Sequence, residues 1–464
     1  MTRLDEILVR KREEVQASKA RVSLASLRDQ LSSAPRVRNL LLRETGVIAE
    51  VKRASPSAGE IAPGADAVAQ AKRYAEAGAA AISVLTDGPG FGGSLDDLRA
   101  VRAAVDVPIL RKDFVVDEYQ LYEARAAGAD LVLLIAAALD DALMARFQEV
   151  AASLDLAVLV EVHDEQELQR VQGAALVGIN NRDLRTFQVD LSTSERLLPL
   201  LRRTQAGVAE SGIRTPEDAR RLGRAGASGF LVGEALMRAE DPGALLREIR
   251  AAAATSFRVK ACGITTPEDA EAAVRAGVDA IGLNFWPESK RRVSFDEAAR
   301  IAAGVPGRVR AVGVFVNADL HTIEHALYTV PLSAIQLHGD EPPELASAVA
   351  ARAAVIRSLP ISAATAWDRA REYPASAFLL DAPSQGYGGS GSTFDWSLAP
   401  RARERLGRPV ILAGGLTPEN VAAAIRQARP DAVDVASGVE SAPGRKDPEK
   451  LRRFVAAARE AFAP

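Results

Sequence analysis

The sequence predicts an α/β protein built as two consecutive (β/α)8 barrels, the first carrying an N-terminal helical extension. Three observations lead there. Short apolar runs rich in β-branched residues alternate with Ala/Arg/Glu-rich stretches of helical period, the pattern of βα units on a parallel sheet. The runs fall into two sets of eight. Within each set the eight units occupy roughly 200–250 residues, the length a closed barrel of this kind needs.

Taken in order, residues 1–46 precede the first strand, and Leu4, Ile7, Leu8 and Val15, then Leu24, Leu27 and Leu31, recur at helical spacing. Strands of the first set begin near 47 (VIAEVKR), 79 (AAAISVLT), 108 (PILRKDF), 131 (LVLLIAAA), 157 (AVLVEV), 176 (LVGIN), 206 (AGVAESG) and 229 (GFLVGEAL). The second set begins near 257 (FRVKACG), 280 (AIGLNF), 309 (VRAVGVFV), 334 (AIQLHG), 354 (AVIRSL), 377 (AFLLDA), 409 (PVILAGG) and 432 (AVDVASG). Glycine follows the last periodic residue of several helices, as in YAEAGAAA, YEARAAGAD, GRAGASG and VRAGVDA, which is the cap that turns a helix back toward the next strand. The count restarts at AAAATSF, 251–257, so the expected domains are 1–255, with the extension at 1–46, and 256–464.

Composition narrows the class of function. The 464 residues are 48% apolar and 26% charged, which is globular rather than disordered. A net charge of −3 gives no general attraction to nucleic acid or anionic lipid. One cysteine excludes an intrachain disulfide and any multi-cysteine metal site. The first twenty residues are charged throughout, unlike a signal peptide. The longest apolar run, Leu131 to Leu139, is far short of the roughly 20 residues of a spanning helix. A cytoplasmic protein without nucleic-acid or membrane partners is expected, and two barrels fused in one chain point to a monomer.

Catalytic groups of such barrels sit at the C-terminal ends of strands. Glu50 and Lys52 share a face at the end of strand 1, since strand residues i and i+2 do. Strand 3 ends with Lys112, strand 5 with Glu161, strand 6 with Asn180 and strand 7 with Glu210. Any one of them could be a strand end that has reached solvent. Five strands ending this way make a convergent set suited to proton transfer beside an anionic substrate. After strands 7 and 8 stand Ser211–Gly212 and Gly233 in the first half, and Gly414–Gly415 and Ser437–Gly438 in the second. Small residues there let backbone N–H groups approach a phosphate. In the second half Cys262 ends strand 1 and Asp381 ends strand 6 on the far wall, a possible base and acid on either side of a sugar. Arg291, in the run Lys290–Arg291–Arg292, has the planar fork that binds a carboxylate.

The motifs IAEVKRASPS at 48–57, PILRKDF, LVEVHDE, GINNRDL, VAESGI and FLVGEALM resemble the indole-3-glycerol-phosphate synthase family. From 257 onward, VKACGIT, LNFWPESKRRVS, VGVFVN, IQLHGDE, LLD, YGGSGSTFDW, LAGGLTPENV and VDVASGVE resemble the phosphoribosylanthranilate isomerase family. Their order and spacing cover nearly the whole chain. The resemblance implies a bifunctional enzyme of tryptophan biosynthesis. Its C-terminal barrel would convert N-(5-phosphoribosyl)anthranilate to 1-(2-carboxyphenylamino)-1-deoxyribulose 5-phosphate. Its N-terminal barrel, a carboxy-lyase, would close the ring with loss of CO2 and water to give indole-3-glycerol phosphate.

It also implies roles. Lys112 would protonate the substrate ketone; Glu161 and Glu50 would serve proton transfers; Lys52 would hold the benzoate carboxylate, sharing acid and base work with Lys112. Asn180, Arg182, Glu210 and Ser211 would complete the pocket, with Phe91 and Phe114 as apolar walls and the phosphate on Ser55, Ser211, Gly212 and Gly233. In the isomerase, Asp381 would protonate the ring oxygen and Cys262, as thiolate, would take the neighbouring carbon's proton. Arg291 would bind the anthranilate carboxylate, and Gly414, Gly415, Ser437 and Gly438 the phosphate. No metal or organic cofactor is implied. Two alternatives compete with it: a single active barrel with the other kept as a binding or structural module, and another phosphosugar barrel enzyme pair such as histidine-pathway isomerases. The second predicts catalytic aspartates on strands 1 and 5, where the first half has Glu50 and Glu161 and the second has Cys262 at strand 1.

Overall fold

In the computed structural model, residues 3–40, 46–55, 59–183, 186–202, 204–362, 367–383, 387 and 393–463 are described. The Ser55 side chain and most of the YGGSGSTFDW glycine run (388–392) lie outside them. The chain forms two compact units, Met1–Arg250 and Ala251–Pro464.

The first unit opens with α1 (Arg3–Arg21) and α2 (Leu24–Gln30), the expected extension. Its eight barrel strands are β1 (Gly46–Val51), β2 (Ala81–Leu85), β3 (Ile109–Lys112), β4 (Leu131–Ile135), β5 (Ala157–Val162), β6 (Leu176–Asn180), β7 (Ala206–Glu210) and β8 (Gly229–Val232). Each pairs in parallel with the next, and β1 also pairs with β8, Gly46 opposite Gly229, so the sheet closes. The second unit repeats the plan with β9 (Val259–Cys262), β10 (Ala280–Asn284), β11 (Arg310–Phe315), β12 (Ala334–Leu337), β13 (Ala354–Pro360), β14 (Ala377–Asp381), β15 (Val410–Leu412) and β16 (Ala432–Val435). It closes through β9 and β16, Lys260 opposite Asp434. Every strand starts within two residues of its expected place.

The helix ends follow from the glycines. Gly128, Gly226 and Gly277 cap their helices in the left-handed conformation, and Gly78 has φ +86° one residue beyond its cap. A side chain is disfavoured in that region, so the sequence marks the stop.

The interior of the first barrel explains its chemistry. Ile48, Leu110, Leu159 and Val208, on β1, β3, β5 and β7, are buried in one apolar cluster. Two residues further along the same strands, on the same face, come Glu50, Lys112, Glu161 and Glu210. Alternate strands of such a barrel contribute four side chains to each interior layer. The ionisable residues are therefore the layer above the apolar one. In the second barrel Ala280, Val312, Ala334, Ile356, Leu379, Ile411 and Ala432 fill the equivalent interior together with Ala254 and Phe257.

Candidate active sites

The first barrel's C-terminal mouth holds a cavity of about 120 Å3 lined by Glu50, Lys52, Phe91, Lys112, Phe114, Glu161, Asn180, Arg182, Glu210 and Ser211. Lys112 Nζ lies 3.0 Å from Glu161 Oε2 and 3.3 Å from Glu210 Oε2. Lys52 Nζ is 3.3 Å from Glu50 Oε1, whose other oxygen accepts from Ser83 Oγ at 3.4 Å. Asn180 hydrogen-bonds Glu161 through its side chain, and its Oδ1 accepts the Arg182 backbone N–H at 3.0 Å. The Phe91 and Phe114 rings sit 6.2 Å apart, and Leu4 and Ile7 of α1 extend their apolar wall.

Glu50, Glu161 and Glu210 are all nearly inaccessible to solvent. Three ionised carboxylates in so small a volume repel one another, and burial penalises each. The site resolves this unequally. Burial raises the Glu210 carboxyl to about 8, with Glu161 and Glu50 adding to the rise and Lys112 opposing it. Burial acts on Glu161 too, but Lys112, His163 and Asn180 outweigh it and hold that carboxyl well below the usual range. Lys112 is kept charged against burial by Glu161, Glu210 and Glu50. The resting site thus pairs an ammonium and an ionised carboxylate with a carboxyl that holds its proton to about neutral pH.

Two glycines make room for these groups. A Cβ on Gly233 would come within 2.7 Å of Glu50 Oε1, and one on Gly178 would overlap Glu210 Oε1. Gly233 was expected at a phosphate; it stands at the cap before the helix Glu234–Arg238, and its missing side chain makes space for Glu50. Ser211 and Gly212 both have positive φ, +61° and +83°, so the turn after β7 is tightly folded. Gly212 packs below Val189 and Leu191, outside the cavity lining.

The second barrel's mouth encloses about 430 Å3, lined by Cys262, Arg291, Asp381, Gly414, Gly415 and Ser437, with Trp286, Gln336, His338 and Asp434. Cys262 and Asp381 thus face one cavity from β9 and β14. Asp381 Oδ1 accepts the Ala382 N–H at 2.8 Å, and its Oδ2 lies 3.6 Å from His338 Nε2. Burial pushes the Cys262 thiol up; Lys260 and Lys446 pull it back, but only in part. Arg291 forks onto Glu440, at 2.7 and 2.8 Å, and Lys446 Nζ joins the same carboxylate at 2.9 Å while donating to the Cys262 carbonyl at 2.7 Å. Gly414 and Gly415 have φ +79° and +59°. Gly438 lies outside the lining; a Cβ there would overlap the carbonyl oxygen of Leu416, so its absence lets the loops after β15 and β16 meet.

Several groups were not anticipated. Lys260, fully buried, donates to Asp434 at 3.0 Å and hydrogen-bonds Cys262. His338 stands beside Asp381, and His163 beside Glu161. In α1, Lys11 reaches Asp87 at 2.5 Å and Asp113 at 2.9 Å. The signal for Lys260 and Asp434 was available: each is a charge inside an apolar strand, on strands that closure makes neighbours.

Residues 4–249 match the family model "Indole-3-glycerol phosphate synthase", and residues 259–457 match "N-(5'phosphoribosyl)anthranilate (PRA) isomerase". The "Tryptophan biosynthesis protein TrpCF" of Salmonella typhi is 39% identical, over 94% of this chain and 94% of its own length. The "Multifunctional tryptophan biosynthesis protein" of Phycomyces blakesleeanus is 37% identical over 92% of this chain, which spans only 64% of that longer protein. The solved phosphoribosyl anthranilate isomerase of Thermotoga maritima is 47% identical over 44% of this chain and 98% of its own, with a TM-score of 0.42. The chain belongs to the indole-3-glycerol phosphate synthase family in its N-terminal part and to the phosphoribosylanthranilate isomerase family in its C-terminal part.

Proposed function

We propose that this chain catalyses two consecutive steps of tryptophan biosynthesis, the isomerase step in residues 256–464 and the synthase step in residues 1–255. The observation that carries the reading is that two separate mouths each hold a complete acid–base set: Lys112 between Glu161 and Glu210, and Cys262 facing the cavity of Asp381. A barrel kept only as a scaffold has no reason to retain such a set, since desolvating it is costly. The two family matches, residues 4–249 and 259–457, support a division between the two halves.

In the isomerase, Asp381 gives a proton to the furanose ring oxygen as the C–O bond breaks, leaving an imine. Cys262, deprotonated with help from Lys260, takes the proton from the adjacent carbon, and the resulting enolamine tautomerises to the ketone. Arg291, presented by Glu440, binds the anthranilate carboxylate, and the turns at Gly414–Gly415 and Ser437–Gly438 take the phosphate. In the synthase, the Lys112 ammonium protonates the ketone as the aromatic carbon attacks. CO2 leaves, and water departs with proton transfers through Glu161, Glu50 and Glu210. Lys52 holds the benzoate carboxylate, Asn180 and Arg182 close the pocket, Phe91 and Phe114 flank the ring, and Ser211, at the cavity wall, takes the phosphate. The partners are then small phosphorylated molecules, and the protein is read as a cytoplasmic monomer, which sedimentation of the purified chain tests.

The full-length chain tests the assignment directly. Cys262→Ala should lower isomerase turnover by about 10^2-fold or more and leave ring closure intact, and Lys112→Ala should do the reverse, as expected for loss of positioned proton-transfer groups. Either substitution abolishing both activities would refute two independent sites.

A further inference from the structure

His163 follows β5 and is mostly buried, with its ring held between two carboxylates. Its Nε2 lies 3.3 Å from Glu161 Oε1 and its Nδ1 3.0 Å from Glu167 Oε2. Glu167, on the first turn of the helix Glu165–Arg170, also accepts the His163 backbone N–H at 2.8 Å. Ring and backbone thus converge on one carboxylate oxygen, which fixes the imidazole's orientation. From the other side, Lys112 on β3 approaches Glu161 Oε2, with Glu210 beyond it on β7.

We infer that Glu167 and His163 are positioning residues for the synthase: together they pin Glu161, ionised and with Oε2 turned to Lys112, as the barrel's base. The inference rests on the synthase reading of this barrel. Between two carboxylates the protonated ring is favoured: Nδ1 bonds to Glu167, while Nε2 faces Glu161 at ion-pair distance without a hydrogen bond. Burial alone would neutralise it, but the neighbouring Glu161 and Glu167 prevail and raise it to about 10. The imidazolium supplies Glu161 with a second positive neighbour besides Lys112. Glu210 has none of this support: its Oε1 is buried without a hydrogen-bond partner. Two carboxyls 3.0 and 3.3 Å from the same ammonium are thereby separated into a base and a proton carrier.

The sign of the effect follows. Removing the imidazolium weakens the ionised form of Glu161, so its carboxyl titrates at higher pH and synthase turnover is lost first on the acid side. In the full-length protein, His163→Gln should move the acid-side midpoint of the ring-closure kcat profile up by about one pH unit relative to wild type, a tenfold change in the ionised-to-protonated ratio of Glu161 at a given pH. Glu167→Gln should move the midpoint the same way by less, and His163→Lys, which restores the charge, should recover part of it. The melting temperature of the first barrel in the same samples reports folding. An unmoved midpoint in His163→Gln with the first barrel folded overturns the inference. If His163→Gln does not fold, an unmoved midpoint in Glu167→Gln overturns it. Absence of ring closure in the wild-type chain would instead sink the synthase reading itself.

Discussion

At the scale of single residues, the first barrel stores a destabilising carboxyl where it is useful. Glu210 is held protonated to about 8, whereas an unfolded glutamate ionises near 4.5. Its folded value is raised, so its stability contribution is complete below about 4.5 and is lost as pH climbs through about 8. Glu210→Gln should therefore raise the melting temperature of the first barrel by a few degrees at pH 8.5, raise it less at pH 5, and abolish ring closure. Scanning calorimetry at the two pH values checks the sign; equal gains at both would contradict it. Gly233→Ala makes a separate point. Its φ of −120° lies outside the left-handed region that favours glycine, so the case rests on space. The added Cβ must displace Glu50, and ring-closure kcat should fall about tenfold or more with a stability change under roughly 1–3 kcal/mol, the usual cost of overpacking. Full synthase activity in this variant would free Gly233 from that role. Much of this site was legible in the chain, because period-two alternation puts Glu50, Lys112, Glu161 and Glu210 directly above Ile48, Leu110, Leu159 and Val208. What alternation cannot supply is the unequal sharing of protons among them, which depends on burial and on His163.

At the scale of elements, the spacing of Leu4, Ile7, Leu8 and Val15 predicts α1, and Ile7, Leu8 and Val15 are buried. The periodicity did not disclose that a lysine shares the buried face. Lys11 is inaccessible and satisfied by Asp87, in the loop after β2, by Asp113, directly after Lys112, and by Glu14 of its own helix. Burial opposes its charge, yet these carboxylates hold the ammonium above an ordinary lysine. Such a contact joins residues some 75 to 100 positions apart, beyond the reach of any local pattern. It ties the extension to the two loops that present Phe91 and Phe114. Lys11→Met should leave Asp87 and Asp113 buried with one partner fewer, at a cost of about 3–5 kcal/mol for a broken buried pair. The measurable consequence is faster amide exchange in Arg3–Arg21 and a raised KM for ring closure, since Leu4 and Ile7 line that cavity. Exchange rates unchanged from wild type would show that the apolar contacts hold the helix alone. The same limit on local reading explains Lys260 and Asp434: each is plain in its own strand, and only the pairing of β9 with β16 brings them beside Cys262.

At the scale of the whole molecule, the sequence repeats one plan twice, and each copy closes its own sheet around its own interior. The place where one copy ends is set by particular contacts rather than by a linker, because no Pro- or Gly-rich tether separates the two. The last helix of the first unit runs Pro242–Ala254, and the compact units divide inside it, after Arg250. Arg250 donates to the Gly78 carbonyl at 3.2 Å and so belongs with the first barrel. Ala254 and Phe257, 1% and 3% exposed, belong with the apolar interior of the second. A fragment starting at 256 discards Ala254 and the helical turn before it, while one starting at 251 keeps both. Fragments 1–250 and 251–464 should each fold and carry one activity, ring closure in the first and isomerisation in the second. Fragment 256–464 should still isomerise but melt several degrees below 251–464, since losing even a small buried apolar group costs on the order of 1 kcal/mol, or about 2–4 °C in a domain of this size. Melting curves of the two C-terminal fragments, with isomerase assays on each, decide it: identical melting temperatures would move the boundary to 255, where the sequence alone puts it.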